Sequence, residues 1–230
     1  MIYLLESVTL GGVMARQARA EATRSAIIRA AAEMFDRYGY GSTRLSDILT
    51  HARVTKGALY FHFSSKEELA FAVLQEQHSI FVGHATFYAD LEAPALESLI
   101  RLSYRLGQEL QVQPVVRGGI RLTLERWTFQ RPLPDPYQDW ITISTEMFNR
   151  AVAELDIRTD VPLGDVARFM VSAFTGVQLV AQVLGERREL GERIAGMWYV
   201  ILPGLVLPRK QIYYLRFVRT AQKEVLDHCG

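Results

Sequence analysis

Within little more than two helical turns the chain places Lys56, Gly57, Ala58, Tyr60 and His62. A lysine ammonium makes charge-assisted bonds to phosphate oxygens, Gly and Ala let a helix backbone approach a surface closely, and Tyr and His carry polar tips on flat rings. Leu59 and Phe63 interrupt the polar series at helical spacing and serve to hold that helix from behind. This is the chemistry of a helix laid against a nucleic acid.

Short elements must position these residues. Thr43 is placed to N-cap a helix whose inward face is Leu45, Ile48, Leu49 and Ala52, and Thr55 is placed to cap the next. Only Ala52-Arg53-Val54 joins them, so the helices cross steeply as in a helix-turn-helix and the second projects from the surface. Ser65-Lys66-Glu67-Glu68 has capping-box spacing, which starts a further helix with its positive end and Lys66 near the same face. Upstream, Ile27, Ile28, Ala31, Met34, Phe35 and Tyr38 lie at helical spacing between about Arg19 and Tyr38, ending at Gly39. A helical hairpin with a solvated basic face would share these patterns. Charge separates the two: from Met14 to Lys66 there are nine Lys or Arg against four acids, although the whole chain is only +1. The DNA-facing set is Arg16, Ser42, Thr43, Arg44, Thr55, Lys56, Gly57, Ala58, Tyr60, His62 and Lys66.

At 230 residues, 49% hydrophobic and 10% aromatic, the chain can form a small domain and a larger one. Its single cysteine, Cys229, has no intrachain partner, which fits a reducing cytoplasm. No apolar run is expected to approach bilayer-spanning length, so no membrane partner is expected, and the apolar opening residues lack the flanks of a signal peptide. Met14 reads as the working start, with residues 1–13 an upstream extension without structural role.

Past Leu69 the periodicity is helical throughout. Leu69, Val73, Gln77, Ile80 and Phe81 carry one helix from the DNA end into the body. Further helices are expected over 95–111, from Pro114 to about Trp127, over 137–155, 163–184 and 190–205, with a proline loop from Arg131 to Pro136 and an uncertain amphipathic tail after Pro208. The 163–184 stretch is apolar nearly all round and must be covered on both sides. Either it is a central core helix, or a second copy covers it across a two-fold axis, as helix-turn-helix readers usually require. The candidate dimer set is Val166, Met170, Val177, Val180, Val183, Ile194, Trp198 and Ile201.

Val54 to Phe63 followed by Ser65-Lys66-Glu67 resembles, nearly residue for residue, the DNA-binding signature of the TetR family of bacterial repressors. Many relatives carry Gly where this chain has Arg53, in a turn where a left-handed conformation costs a non-Gly residue about 1 kcal/mol. Pro136-Tyr137-Gln138-Asp139-Trp140, Phe174 to Val180, Met197-Trp198-Tyr199 and Ile201-Leu202-Pro203 resemble the regulatory domain of the γ-butyrolactone autoregulator receptors of actinobacteria. The likeness covers most of Ala15 to Pro208. It implies a homodimer paired through its two C-terminal helices, operator DNA as partner, and a small lactone or butenolide signal in an apolar cavity where Trp140 forms a wall. The candidate ligand set is Gln77, Phe81, Trp127, Trp140, Phe174, Thr175 and Gln178. Each has a plain alternative: Trp140 as a core plug, Gln77 facing solvent, Thr175 bonding back to its own helix, Trp127 in packing.

Enzymatic motifs do not occur: there is no Gly-x-Ser-x-Gly elbow, His-Glu-x-x-His pair or phosphate-binding glycine loop. His51, His62, His78, His84 and His228 show no metal spacing, and no cofactor is expected. The expected architecture is all-α: an N-terminal three-helix DNA-binding domain (14–65), a helical effector and dimerisation domain (66–208) and a tail (209–230). An orphan regulator or nucleoid-associated binder without an effector would use the same head.

Overall fold

The computed structural model describes the backbone of residues 2–129, 136–185 and 187–227, and the side chains of these residues outside 2–13, 126 and 225–227. Cys229, His228 and the proline loop up to residue 135 lie outside the described residues. The helices are α1 (Ile2–Ser42), α2 (Leu45–Ala52), α3 (Lys56–His62), α4 (Lys66–Ala89), α5 (Ala95–Val112), α6 (Pro114–Leu124), α7 (Pro136–Ala153), α8 (Leu163–Val183), α9 (Leu190–Leu205) and α10 (Gln211–Asp227). Among the described residues no strand forms; a lone antiparallel bridge joins Ile157 to Val206. The all-α expectation holds.

The chain divides into two compact units, Met1–His78 with Pro114–Leu133, and Ser79–Gln113 with Pro134–Gly230. Of the three crossings, the one after His78 falls inside the uninterrupted helix α4.

In the first unit Ile27, Ile28, Phe35, Ile48, Leu59, Leu69 and Leu122 are essentially inaccessible. The expected core face of the first helix is present except at Tyr38, which is half exposed with the Arg37 guanidinium over its ring. Helical backbone begins at Ile2, within the stretch expected to have no structural role. It breaks at Gly39, whose φ of 78° favours a residue without Cβ; a Cβ there would also come within 2.7 Å of Glu125 Oε1. α6 belongs to this unit, beyond the domain limit at residue 65. A Cβ on Gly118 would lie 2.6 Å from the Ala32 carbonyl oxygen, so only glycine allows α6 this close to α1. Arg117 Nε donates to Asp36 Oδ2 at 2.8 Å, and Glu125 accepts from the Tyr40 backbone N–H at 2.8 Å.

In the second unit α5 packs against α7, α9 and α10. Of its buried polar residues, Glu97, Ser103 and Glu109 have partners, while the Ser98 hydroxyl has none among the described residues. Glu97 takes Arg101 and the Tyr213 hydroxyl, and Glu109 takes His84 and Arg105. Ser103 Oγ accepts from Trp198 Nε1 at 2.8 Å. The amphipathic tail forms α10, which inserts Tyr214, Phe217, Val218 and Ala221 into this core. α8 is long and apolar enough, by length and composition, to cross a membrane, which corrects the expectation that no run approaches that length. One side of it packs against α7 and α9; Phe169, Val180 and Val183 face outward.

Candidate nucleic-acid interface and effector site

The recognition elements form as their caps dictate. Thr55 Oγ1 accepts from the Ala58 N–H at 3.2 Å to start α3, and Ser65 Oγ accepts from the Glu68 N–H at 3.0 Å to start α4. Glu68 closes the box one residue early, accepting from the Ser64 N–H rather than from that of the cap itself. Arg53 adopts φ 56°, ψ 39°, the left-handed turn conformation. Leu59 and Phe63 anchor α3 inward, as expected.

Arg16, Ser42, Arg44, Lys56, Gly57 and Tyr60 are exposed, and Ala58 and His62 are partly so. Lys56 Nζ stands 5.7 Å from the centre of the Tyr60 ring, which sets the cation over the ring face. Thr55 is exposed, but its hydroxyl is spent on the cap.

Two members of the set turn inward. Thr43 is 1% exposed and donates to the Gly39 carbonyl at 2.7 Å; the residue at the cap position of α2 is Arg44, with no side-chain cap bond. Thr43 therefore ties down the end of α1 and offers DNA no hydroxyl. Lys66 donates to the carbonyls of Tyr40 (2.8 Å) and Thr43 (3.0 Å) and stacks over the Tyr40 ring at 4.2 Å. Burial pushes its pKa down from the ordinary lysine value. It fastens α4 to the α1–α2 connection instead of reaching for phosphate. Phe61, outside the expected set, is 77% exposed.

In the second unit, Phe81 and Tyr137 enclose Trp140, with ring centres 5.1 and 4.7 Å from it. Trp140 is 8% exposed and its Nε1–H has no hydrogen-bond partner among the described residues. Gln178, on the neighbouring α8, is also buried and its Nε2 is likewise unpartnered. Phe174 is half-buried on the same helix, and Thr175 donates back to the Val171 carbonyl at 2.9 Å, which is its plain alternative. Gln77 belongs to the first unit; it is 3% exposed, not solvent-facing, and its Oε1 lacks a partner among the described residues. Trp127 is 79% exposed in a single 3-10 turn, so it walls no enclosed cavity. An open groove of about 740 Å³ is lined by residues such as His84, Phe87, Arg101 and Arg105, and a hollow of about 120 Å³ by Tyr104, Gln111 and Arg188 among others. Neither includes a member of the expected ligand set.

The dimer set also splits. Val180 and Val183 are exposed, and Val166 and Val177 partly so. Met170, Ile194, Trp198 and Ile201 are buried within their own chain, Trp198 completely because its indole N–H bonds Ser103. On α9 the outward residue is Val200, 76% exposed between Gly196 and Gly204. Its spacing from Gly196 and Gly204, one helical turn on either side, is the signal that could have identified it.

Residues 27–73 match the family described as Bacterial regulatory proteins, tetR family, and residues 93–207 match Tetracyclin repressor-like, C-terminal domain. The chain is 37% identical over 195 residues to the A-factor receptor protein of Streptomyces griseus, spanning 85% of this chain and 68% of that one. A solved gamma-butyrolactone receptor (ArpA-like protein) superposes with a TM-score of 0.81 at 37% identity, covering 90% of this chain and 99% of the other. CprB of Streptomyces coelicolor, solved in complex with its biological operator sequence, gives 0.78 at 37% identity with the same coverage.

Proposed function

The chain belongs to the TetR family of bacterial regulatory proteins, and on that footing we propose that it is a repressor released from its operator by a small γ-butyrolactone- or butenolide-type signal. The observation that carries the ligand class is the pair of buried donors without a partner among the described residues, Trp140 Nε1 and Gln178 Nε2. Buried polar groups are nearly always bonded, and an orphaned donor costs about 1–3 kcal/mol. A lactone ring offers oxygen acceptors only, and its acyl chain suits the aromatic wall of Phe81 and Tyr137. The A-factor receptor and the gamma-butyrolactone receptors to which the chain is similar support the same ligand class.

The DNA contacts fall to Arg16, Ser42, Arg44, Lys56, Gly57, Ala58, Tyr60 and His62. The protein works as a two-fold dimer in the cytoplasm, paired through the outward faces of α8 and α9 with Phe169, Val180, Val183 and Val200 at the contact. Release requires that the signal bind the DNA-incompetent form more tightly, since equal affinity for both forms shifts nothing. α4 is suited to carry that bias, because it is continuous through the boundary between the units.

Trp140→Phe tests the reading, since it keeps the aromatic wall and deletes the donor. The variant binds operator as the parent does but needs about tenfold more synthetic γ-butyrolactone for release, the equivalent of about 1.4 kcal/mol. Release of both proteins at one concentration overturns the donor role. Failure of every butyrolactone and butenolide to release the parent assigns the signal to another chemical class.

A further inference from the structure

We propose that Phe61 reads thymine in the operator, through its C5-methyl group, at one position of each half-site. The inference rests on the operator-binding reading above and assigns it a specificity element. At about 3.6 residues per turn, Phe61 lies opposite the mean direction of Leu59 and Phe63, the two residues that fix α3 to its unit. Those two are 0% and 3% exposed, while Phe61 is 77% exposed. Gly57, one turn earlier on the same outward face, is exposed and has no side chain to hold a base pair away. The ring touches His62 edge-on, with centres 4.9 Å apart, and so has a partner that fixes its direction without covering it.

The occupant of this face follows from its charge and from the chemistry of a phenyl ring. Lys56, Arg44 and Arg16 stand exposed in a segment with an excess of cations, which suits phosphate on either side of a groove. A phenyl ring can neither donate nor accept a hydrogen bond, so it cannot read the donor and acceptor pattern of base edges. In the major groove the apolar feature that varies with sequence is the thymine methyl. Phe61 therefore discriminates by that methyl, whereas Tyr60 and His62 contribute polar tips.

The test uses the full chain. An operator is selected from a randomised duplex library, and each of its thymines is then replaced in turn by deoxyuridine, which removes the methyl and leaves base pairing intact. The parent loses about fourfold in affinity at one thymine per half-site, the worth of one buried methyl. Phe61→Ala, a change at an exposed site, binds thymine and uracil duplexes equally at that position and keeps the parent's salt dependence. An operator with no methyl-sensitive position, or a Phe61→Ala protein with the parent's sensitivity, overturns the assignment. A parent that enriches no sequence overturns the operator reading itself, and the inference with it.

Discussion

Two helices of the second unit, α5 and α8, meet the demand for burial from opposite sides. α5 is enclosed by α7, α9 and α10 although it carries Glu97, Ser103 and Glu109. These three are tolerated because partners come from within the chain: Tyr213 and Arg101 for Glu97, Trp198 for Ser103, His84 and Arg105 for Glu109; the Ser98 and Tyr104 hydroxyls of the same helix have no partner among the described residues. α8 has no charged residue from Phe169 to Val183, yet turns Phe169, Val180 and Val183 outward at 58%, 50% and 83% exposure. A buried polar group can be satisfied by its own chain, whereas an outward apolar row calls for a surface from elsewhere. The contrast makes α5 the inner axis of the unit and α8 the face on which the proposed dimer contact rests.

The sharpest way to break this contrast is to open the inner axis. Trp198→Ala removes a fully buried indole and leaves Ser103 without its donor, at a cost of about 3–5 kcal/mol, read as a large drop in the denaturant midpoint. A variant that unfolds with the parent would remove α5 from the centre of the unit. Val180→Glu then probes the outer face. An exposed glutamate should change the stability of the isolated chain by no more than about 0.5 kcal/mol, but a charge enclosed in the dimer contact should weaken association by about 2 kcal/mol or more. Sedimentation that shows an undiminished dimer would place the contact elsewhere.

The smallest effect is a pH dependence carried by α5. The bond from His84, and then the nearby Arg105 charge, hold the Glu109 carboxyl below its ordinary value against the opposing effect of burial. A carboxyl whose folded pKa is depressed contributes stability that is complete above its unfolded value and is lost as pH falls through the depressed one. Thermal midpoints of the parent should therefore fall on acidification below the ordinary carboxylate range, and those of Glu109→Gln should fall less. Equal acid losses in the two proteins would contradict the sign.

Most of the head was legible because its determinants are local, Thr43 excepted, whose hydroxyl turns back to the Gly39 carbonyl instead of capping α2. Thr55, Ser65 and Arg53 act within three or four residues of themselves, and each takes the conformation its spacing implies. Lys66 was misplaced on the DNA side because its acceptors, the carbonyls of Tyr40 and Thr43, lie more than twenty positions upstream. The body was harder for a related reason. Trp198 and Val200 are two residues apart and both apolar, and helical periodicity separates their faces without saying which one the rest of the chain will cover. α10 looked peripheral since its anchors are remote: Tyr213 meets Glu97 across 116 positions, and Tyr214 meets Asp156 at 2.5 Å across 58. Of the ligand set, Trp140, Phe81 and Gln178 are buried, which suits a core plug as well as a ligand wall, while Trp127 is exposed.

The seating of α10 on α5 also constrains the molecule while it is being made. α5 leaves the ribosome roughly 100 residues before α10, an interval of about 5–20 s at translation rates of about 5–20 residues per second. The elements of the first unit are complete by Leu133, so the DNA-reading half can close during that wait. The nascent second half meanwhile holds α5 without α10, so Glu97 lacks Tyr213 and Arg101 lacks Phe217 and Glu224. Synthesis thus imposes an order, head before body, and makes residues 95–112 the stretch that a chaperone would have reason to shield.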